Sequence, residues 1–501
     1  MTNKGNIFKF SFISLVILLS FDIKSSFSYV LLPLEYLPKE YYKFLPKEDY
    51  SNKPEMVMKE LYYKRLLTNL YIGTPQKSQM MLIDTDSFEF YFTSLNPPNI
   101  SHKEYKISDF YEFGENLFFN ESESSSYKEE KCLEHDYEDY DEICYSKDKI
   151  KFNFGNYTSV IDFPIKILKG EDERIPGLIG LSVNGTIAYG SKNLLTELKL
   201  YKLIKDYYYF FDCEQFSPIK SQIQGNLVIG DLPHNIFPDK YSSEDYVLIK
   251  NSGDSSFWTF HMKKVEVGSN SKKEIQISNT KVHTFYEFYH VIGTPEFMKE
   301  MSALFFNKLI EENKCFKGKF SQNLFSFDEL NFYYCELSVE NILYDNLYSI
   351  KFHSKNTDYI FELTKEELYY KKGSYIYFNI LFFEHQYNDW ILGQMFTSKY
   401  HFVFHTDSRQ ISFYKRVNNN KKEDEEEITE KKSEGILKVG TENKKILTFM
   451  IITAFVFIII GIIIGIVIGI KFLKKRRKKK AEELVDDDYD YTPKNENNVV
   501  N

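Results

Sequence analysis

The chain has 501 residues, too many for one ordinary core, so two or three packed units are expected. Hydrophobic residues make up 43% and aromatics 17%, ample for a globular protein rather than a disordered one. A formal net charge of −9 argues against nucleic acid as the main partner. The aromatics are mostly Tyr and Phe among abundant Lys, Asn and Ile. That skew resembles the coding bias of an AT-rich genome, so single Tyr or Phe residues carry little weight.

Residues 1–28 read as a secretory signal: Lys4 and Lys9 precede the apolar run Phe10–Leu19, and Ser25, Ser26 and Ser28 offer a cleavage region. Residues 29–60 are a prosegment or an added strand. From 61 to 240, short apolar or alternating runs predict strands at Leu66–Ile72, Met80–Ile83, Phe88–Phe92, Ile150–Phe154, Pro164–Leu168 and Asn226–Ile229, with a short helix at Leu194–Ile204. No Gly falls between Gly114 and Gly155, and an acidic patch runs from Glu134 to Glu142; a solvated loop insertion is expected there. Residues 241–415 repeat the style, with strands at Trp258–Val267, Leu347–Phe352, Tyr359–Leu363, Tyr375–Leu381, Tyr400–Phe404 and Gln410–Tyr414, and a helix at Pro295–Glu312. Two strand-rich halves with few helices predict an all-β, bilobal fold.

Residues 416–445 are a charged stalk. The uncharged segment 446–470 is long enough to cross hydrocarbon, and the basic run Lys474–Lys480 places the following tail, 471–501, in the cytosol. The expected topology is single-pass type I in the secretory pathway, with the cell surface or a secretory vesicle favoured over the endoplasmic reticulum. Gly461, Gly465 and Gly469 recur at spacing four, which lets two membrane helices approach closely. All five cysteines precede the membrane segment, where disulfides persist. Cys132–Cys144 and Cys315–Cys335 are plausible local pairs, leaving Cys213 over. The spacings do not form a zinc site, and no metal or cofactor is called for. Sequons at Asn99, Asn120, Asn156 and Asn184 fit exposure in the same compartment.

Three stretches together resemble a family. Leu70-Tyr71-Ile72-Gly73-Thr74-Pro75-Gln76, followed by Met81-Leu82-Ile83-Asp84-Thr85, is similar to the opening of pepsin-like aspartic proteases, where a turn leads to the first catalytic Asp-Thr-Gly. Pro176-Gly177-Leu178-Ile179-Gly180-Leu181 resembles the apolar-apolar-Gly element that crosses behind that loop. Asn388-Asp389-Trp390-Ile391-Leu392-Gly393, with Tyr400–Phe404 and Ile411–Phe413, resembles the closing strands. The match spans about 61–414. With the composition and anchor, it resembles surface or secretory-granule members of the plasmepsin group of malaria parasites. The resemblance implies a pepsin-like double barrel with lobes 61–240 and 241–415.

That chemistry needs two carboxylates about 3 Å apart that share one proton. One activates water and the other protonates the scissile carbonyl. Here Asp84 and Thr85 remain, but Asp86 replaces the glycine, adding bulk and a second charge. From 255 to 327 there is no aspartate at all. Aligned without a gap, Tyr286 takes the second aspartate position; with a small insertion His283 takes it, with Phe285 in place of glycine. Glu287 is nearby but of the wrong length. The flap region, about 132–145, has no Gly, and Tyr137, Tyr140 and Tyr145 are its candidate tyrosines. The expectation is a pseudoprotease acting as a lumenal or surface binding or adhesion module for a protein or peptide. The alternative is an active endopeptidase rewired around Asp84 and His283, since a His/Asp pair can polarise water near neutral pH.

Overall fold

The computed structural model describes residues 29–38, 41, 53–95, 117–134, 142–155, 157–169, 175–182, 193–213, 223–250, 257–268, 280–321, 329–384 and 388–417. The signal segment, the stretch 446–470 with its glycines, Tyr137, Tyr140, Asn99, Asn156 and Asn184 lie outside the described residues. Within them, no helix is long and apolar enough to cross a membrane.

Two sheets carry the fold. The first half supplies β1 (Val30–Pro33), β2 (Glu35–Tyr36), helix α1 (Pro54–Tyr62), β3 (Leu66–Ile72), β4 (Lys77–Asp84) and β5 (Phe90–Thr93). Then come β6 (Lys128–Glu134), β7 (Glu142–Phe154), β8 (Tyr157–Lys169), β9 (Gly177–Gly180), α2 (Leu194–Leu200), β10 (Tyr208–Cys213), β11 (Gly225–Ile229) and β12 (Tyr246–Lys250). The second half supplies β13 (Thr259–Gly268), β14 (Thr280–Thr284), β15 (Val291–Gly293), α3 (Pro295–Met301), β16 (Cys315–Ser321), β17 (Glu329–Glu336), β18 (Ser349–Ser354) and β19 (Ile360–Thr364). It closes with β20 (Tyr369–Lys372), β21 (Tyr375–Phe378), β22 (Ile380–Phe383), β23 (Trp390–Leu392), β24 (Val403–His405) and β25 (Gln410–Tyr414).

In the first sheet, β7-β8-β5-β9-β4-β3 returns to β7 and closes a six-strand ring. From β7 the sheet runs on through β1, β11, β10, β24, β25 and β12, so the last strands of the chain complete the first sheet. The second sheet runs β19-β18-β13-β14-β23-β15-β22-β17-β21-β20, with β16 on β17. Both halves repeat one motif: β4 lies parallel to β9 and β5 parallel to β8, as β14 lies parallel to β23 and β15 parallel to β22.

Most of the acidic patch expected as a solvated loop, 135–141, lies outside the described residues; on either side of it the chain forms the paired strands β6 and β7. Along β7 every second residue turns inward: Cys144, Ser146, Asp148, Ile150 and Phe152 are buried while Lys149 is exposed. The stretch 29–60 holds an added strand and most of a helix. β1 pairs with β11 and β7, and α1 starts with Pro54 at its first position and buries Val57, Met58, Leu61 and Tyr62 on one face.

Candidate active site

The two parallel strand pairs fix which residues face each other at the centre. In the first half, Ile83 pairs with Ile179 and Asp84 with Gly180. In the second, Thr284 pairs with Leu392, so the next residue, Phe285, falls opposite Gly393. Both glycines are forced by packing: a Cβ at Gly180 would lie 2.4 Å from the Glu89 N, and one at Gly393 2.3 Å from the His290 carbonyl. Phe285 therefore stands where Asp84 stands in the other half. Tyr286 matches Thr85 and Glu287 matches Asp86.

This corrects both registers considered for the sequence. Tyr286 is one residue past the aspartate position, and its ring stacks on Phe211 with centroids 3.8 Å apart. His283 is two residues before it, and its Nε2 lies 3.0 Å from Asp389 Oδ2. Burial lowers the His283 pKa, while Asp389 opposes the shift. The ring also lies 6.1 Å from Phe285 and 5.7 Å from Phe257. Its acid partner is thus Asp389, at the foot of β23.

The Asp84 carboxylate is held as a loop organiser. Its Oδ1 accepts from the backbone N–H of Asp86 and of Ser87, each at 2.8 Å. Its Oδ2 lies 3.6 Å from Arg65 Nη2, a buried guanidinium at the entry to β3. Asp86 is pushed up to about 7, first by burial and then by Asp84, against the pull of Arg65.

Glu287 is the residue that sequence reasoning set aside. It is buried, and its Oε1 accepts from both the backbone N–H and the hydroxyl of Thr85. In return, the Tyr286 N–H donates to Thr85 Oγ1 at 3.3 Å. The two halves of the molecule are thus clasped across the centre by Glu287 and Thr85. Burial and the Asp84 charge raise the Glu287 pKa, and Arg65 and the Thr85 donors oppose that rise. Gln394 braces the clasp by donating to the carbonyls of Lys64 and Tyr286, each at 2.8 Å.

The second half-site is filled with apolar side chains. Phe285 is 4% exposed and belongs to one cluster with Val57, Met58, Leu61 and Tyr62 of α1 and with Phe288, Ile292 and Phe320. Tyr62 stacks on Phe288 at 5.2 Å and 7°, and Glu60 pairs with Lys372 at 3.2 Å. Helix α1 therefore packs into the same apolar cluster as Phe285, joined to it through Phe288, on which Tyr62 stacks.

The family model described as eukaryotic aspartyl protease matches residues 65–416. The chain belongs to that family. A search of curated proteins finds no match. As a member of the aspartyl protease family, the chain keeps the fold and the first aspartate and departs at the second. Strands β6 and β7 flank the region expected for the flap, whose residues 135–141 lie outside the described residues; Tyr145 stands half-buried against the central cluster, next to Cys144. Both expected disulfides are present, Cys132–Cys144 and Cys315–Cys335, while Cys213 is buried outside any disulfide. Asn120 of the described sequon caps a short 3-10 turn, accepting from the Ser122 N–H and hydroxyl. Arg65 was not singled out from sequence, and Phe285 was read there in the glycine's place rather than the aspartate's. The signal that finds Phe285 is the second apolar-apolar-Gly, Ile391-Leu392-Gly393, counted back across a parallel pair.

Proposed function

We propose that this aspartyl protease relative is catalytically inactive and serves as a binding or adhesion module for a protein or peptide, held at a membrane by the segment 446–470 with the folded part lumenal or cell-surface. The observation that carries the reading is Phe285, buried where the second aspartate would stand. The position that mirrors Asp84 carries no carboxyl, and Glu287, the buried acid of the second half, has both oxygens engaged by Thr85, so no matched pair is left to activate water and protonate an amide. Support also comes from Asp84 itself, whose oxygens serve two backbone N–H groups and Arg65. The rewired reading gains nothing from His283, which is bonded to Asp389. Self-association through Gly461, Gly465 and Gly469 belongs to the same proposal.

The test is incubation of the purified protein with a diverse peptide library between pH 4 and 8, read by mass spectrometry. No cleavage is expected. Turnover lost in both Asp84→Ala and His283→Ala would establish the rewired pair. Turnover lost in Asp84→Asn and Glu287→Gln would establish an acid pair across the clasp. Either result ends the inactive reading.

A further inference from the structure

The Cys132–Cys144 bridge differs from its counterpart in exposure, in neighbours and in what it restrains. Cys132 and Cys144 sit directly opposite each other in the β6–β7 ladder. Cys144 is buried in the core of the first half, but the Cys132 sulfur is only partly buried. Cys315 and Cys335 are each 1% exposed. The Lys169 Nζ lies 4.0 Å from Cys132 Sγ, and Glu129 and Glu142 hold that ammonium at 3.1 and 3.4 Å.

Among the described residues, strand β6 has a single ladder partner, β7. Toward its start it is tied by Ser126 Oγ to Asp148 at 2.5 Å and by Tyr127 OH to Ser146 at 2.9 Å. Toward the hairpin tip the covalent tie is the disulfide. Leu133, 38% exposed, pairs with Ile143, which belongs to the cluster of Phe285 and α1. The described part of β7 beside the bridge therefore borders the central cluster through Ile143.

We infer that Cys132–Cys144 is a reducible latch between β6 and β7 beside the central cluster, opened by a dithiol reductant while Cys315–Cys335 stays closed. A thiolate of the reductant attacks the accessible Cys132 sulfur. A mixed disulfide forms there, the Cys132–Cys144 bond breaks, and its electron pair leaves on Cys144, which takes a proton. The second thiol of the reductant then attacks its own sulfur in the mixed disulfide. Cys132 leaves as a thiolate beside the Lys169 ammonium, and the reductant departs as a cyclic disulfide. Two electrons and one proton pass to the hairpin, the dithiol's second proton goes to solvent, and β6 is left with its ladder bonds and the Ser126 and Tyr127 ties.

The experiment is a dithiothreitol series on the full-length native protein at pH 7, followed by alkylation and peptide mass spectrometry. Cys132 and Cys144 are expected to become alkylated at dithiol concentrations about tenfold or more below those that open Cys315–Cys335. Amide exchange should rise in 128–134 without a rise in β16. Lys169→Gln should lower the rate at which reduced Cys132 reacts with iodoacetamide at pH 7, with the hairpin otherwise unchanged. Cys132→Ser with Cys144→Ser should show the exchange of the reduced form without dithiol. Opening of both bridges together, or of Cys315–Cys335 first, overturns the proposal. So does selective opening that leaves exchange in 128–134 unchanged. If the double serine variant does not fold, the dithiol series on the native chain still decides.

Discussion

Four ionisable side chains meet around Thr85: Asp84, Asp86, Arg65 and Glu287, with one positive charge among them. Such a group is tolerated only if some carboxyls hold protons, and burial together with Asp84 raises both Asp86 and Glu287. A carboxyl raised in the fold keeps its proton after the unfolded chain has lost it near pH 4. Its contribution is thus complete below that pH and is lost as pH rises through the folded value. Asp86→Asn is therefore expected to raise stability by about 1 kcal/mol at pH 8 and to change little at pH 5, after allowing for solvent screening. Thermal unfolding at the two pH values measures it. Glu287→Gln keeps one acceptor for Thr85 and should flatten the decline of melting temperature between pH 6 and 9. An unchanged slope would mean that Glu287 is ionised throughout.

At the scale of the element, α1 is fastened to the second half by aromatic contact. Tyr62 touches Phe288, Phe320 and Tyr63. Tyr62→Ala is expected to cost about 3 kcal/mol and to raise amide exchange across 54–62 before the rest of the fold responds. Phe285→Asp places a carboxyl among Phe288, Ile292 and Tyr62 without a partner and should destabilise by about 3 kcal/mol or more. No peptide cleavage should accompany it, because α1, Tyr286 and Glu287 remain. A peptide assay alongside urea unfolding checks both halves of that statement.

The elements legible in the sequence were those with clean patterning. Leu66–Ile72 and Gln410–Tyr414 form strands over the expected residues, and the helix read from Pro295 to Glu312 is present from Pro295 to Glu311 with a π-turn at Ser302–Phe306. The run read as one strand at Tyr375–Leu381 breaks at Asn379, whose side chain donates to the Glu367 carbonyl. Hairpins rich in charge went unread: β16, with Lys317 and Lys319 beside Phe320, looks like a loop until its partner β17 is known. The site was half legible. Asp84 is set by local sequence, whereas its surroundings come from contacts such as Thr85 with Glu287, separated by 202 positions. Residue type alone gives no sign of a contact that distant.

At the scale of the whole molecule, the buried histidines oppose the carboxyls, three of them strongly. Burial pushes His290, His401 and His405 down to about 4. The unfolded chain binds more protons than the fold between that value and about 6.5, so stability falls as pH falls across this window. Each histidine then costs about 2 kcal/mol at pH 5, an upper figure before relaxation. An acid limit to folding is expected at a higher pH in the parent than in His405→Gln, measured by urea unfolding at pH 5 and pH 7. His401 sits in the turn before β24 of the first sheet and His405 ends that strand, with Tyr241 against His401 and Tyr246 and Ser412 against His405. Acidification should loosen that sheet first, and amide exchange in β24 and β25 reports it.

The seam between β10 and β24 sets an order of events during synthesis. Tyr208, Tyr209 and Phe210 emerge from the ribosome early, but the strand that covers their edge, Val403–His405, arrives only near the end of translation. Until then a hydrophobic, unpaired border waits in the nascent chain, a template for wrong partners. A polypeptide stopped before Val403 would expose that border permanently, so truncated products should be captured by chaperones or lost to degradation rather than accumulate as a half-molecule.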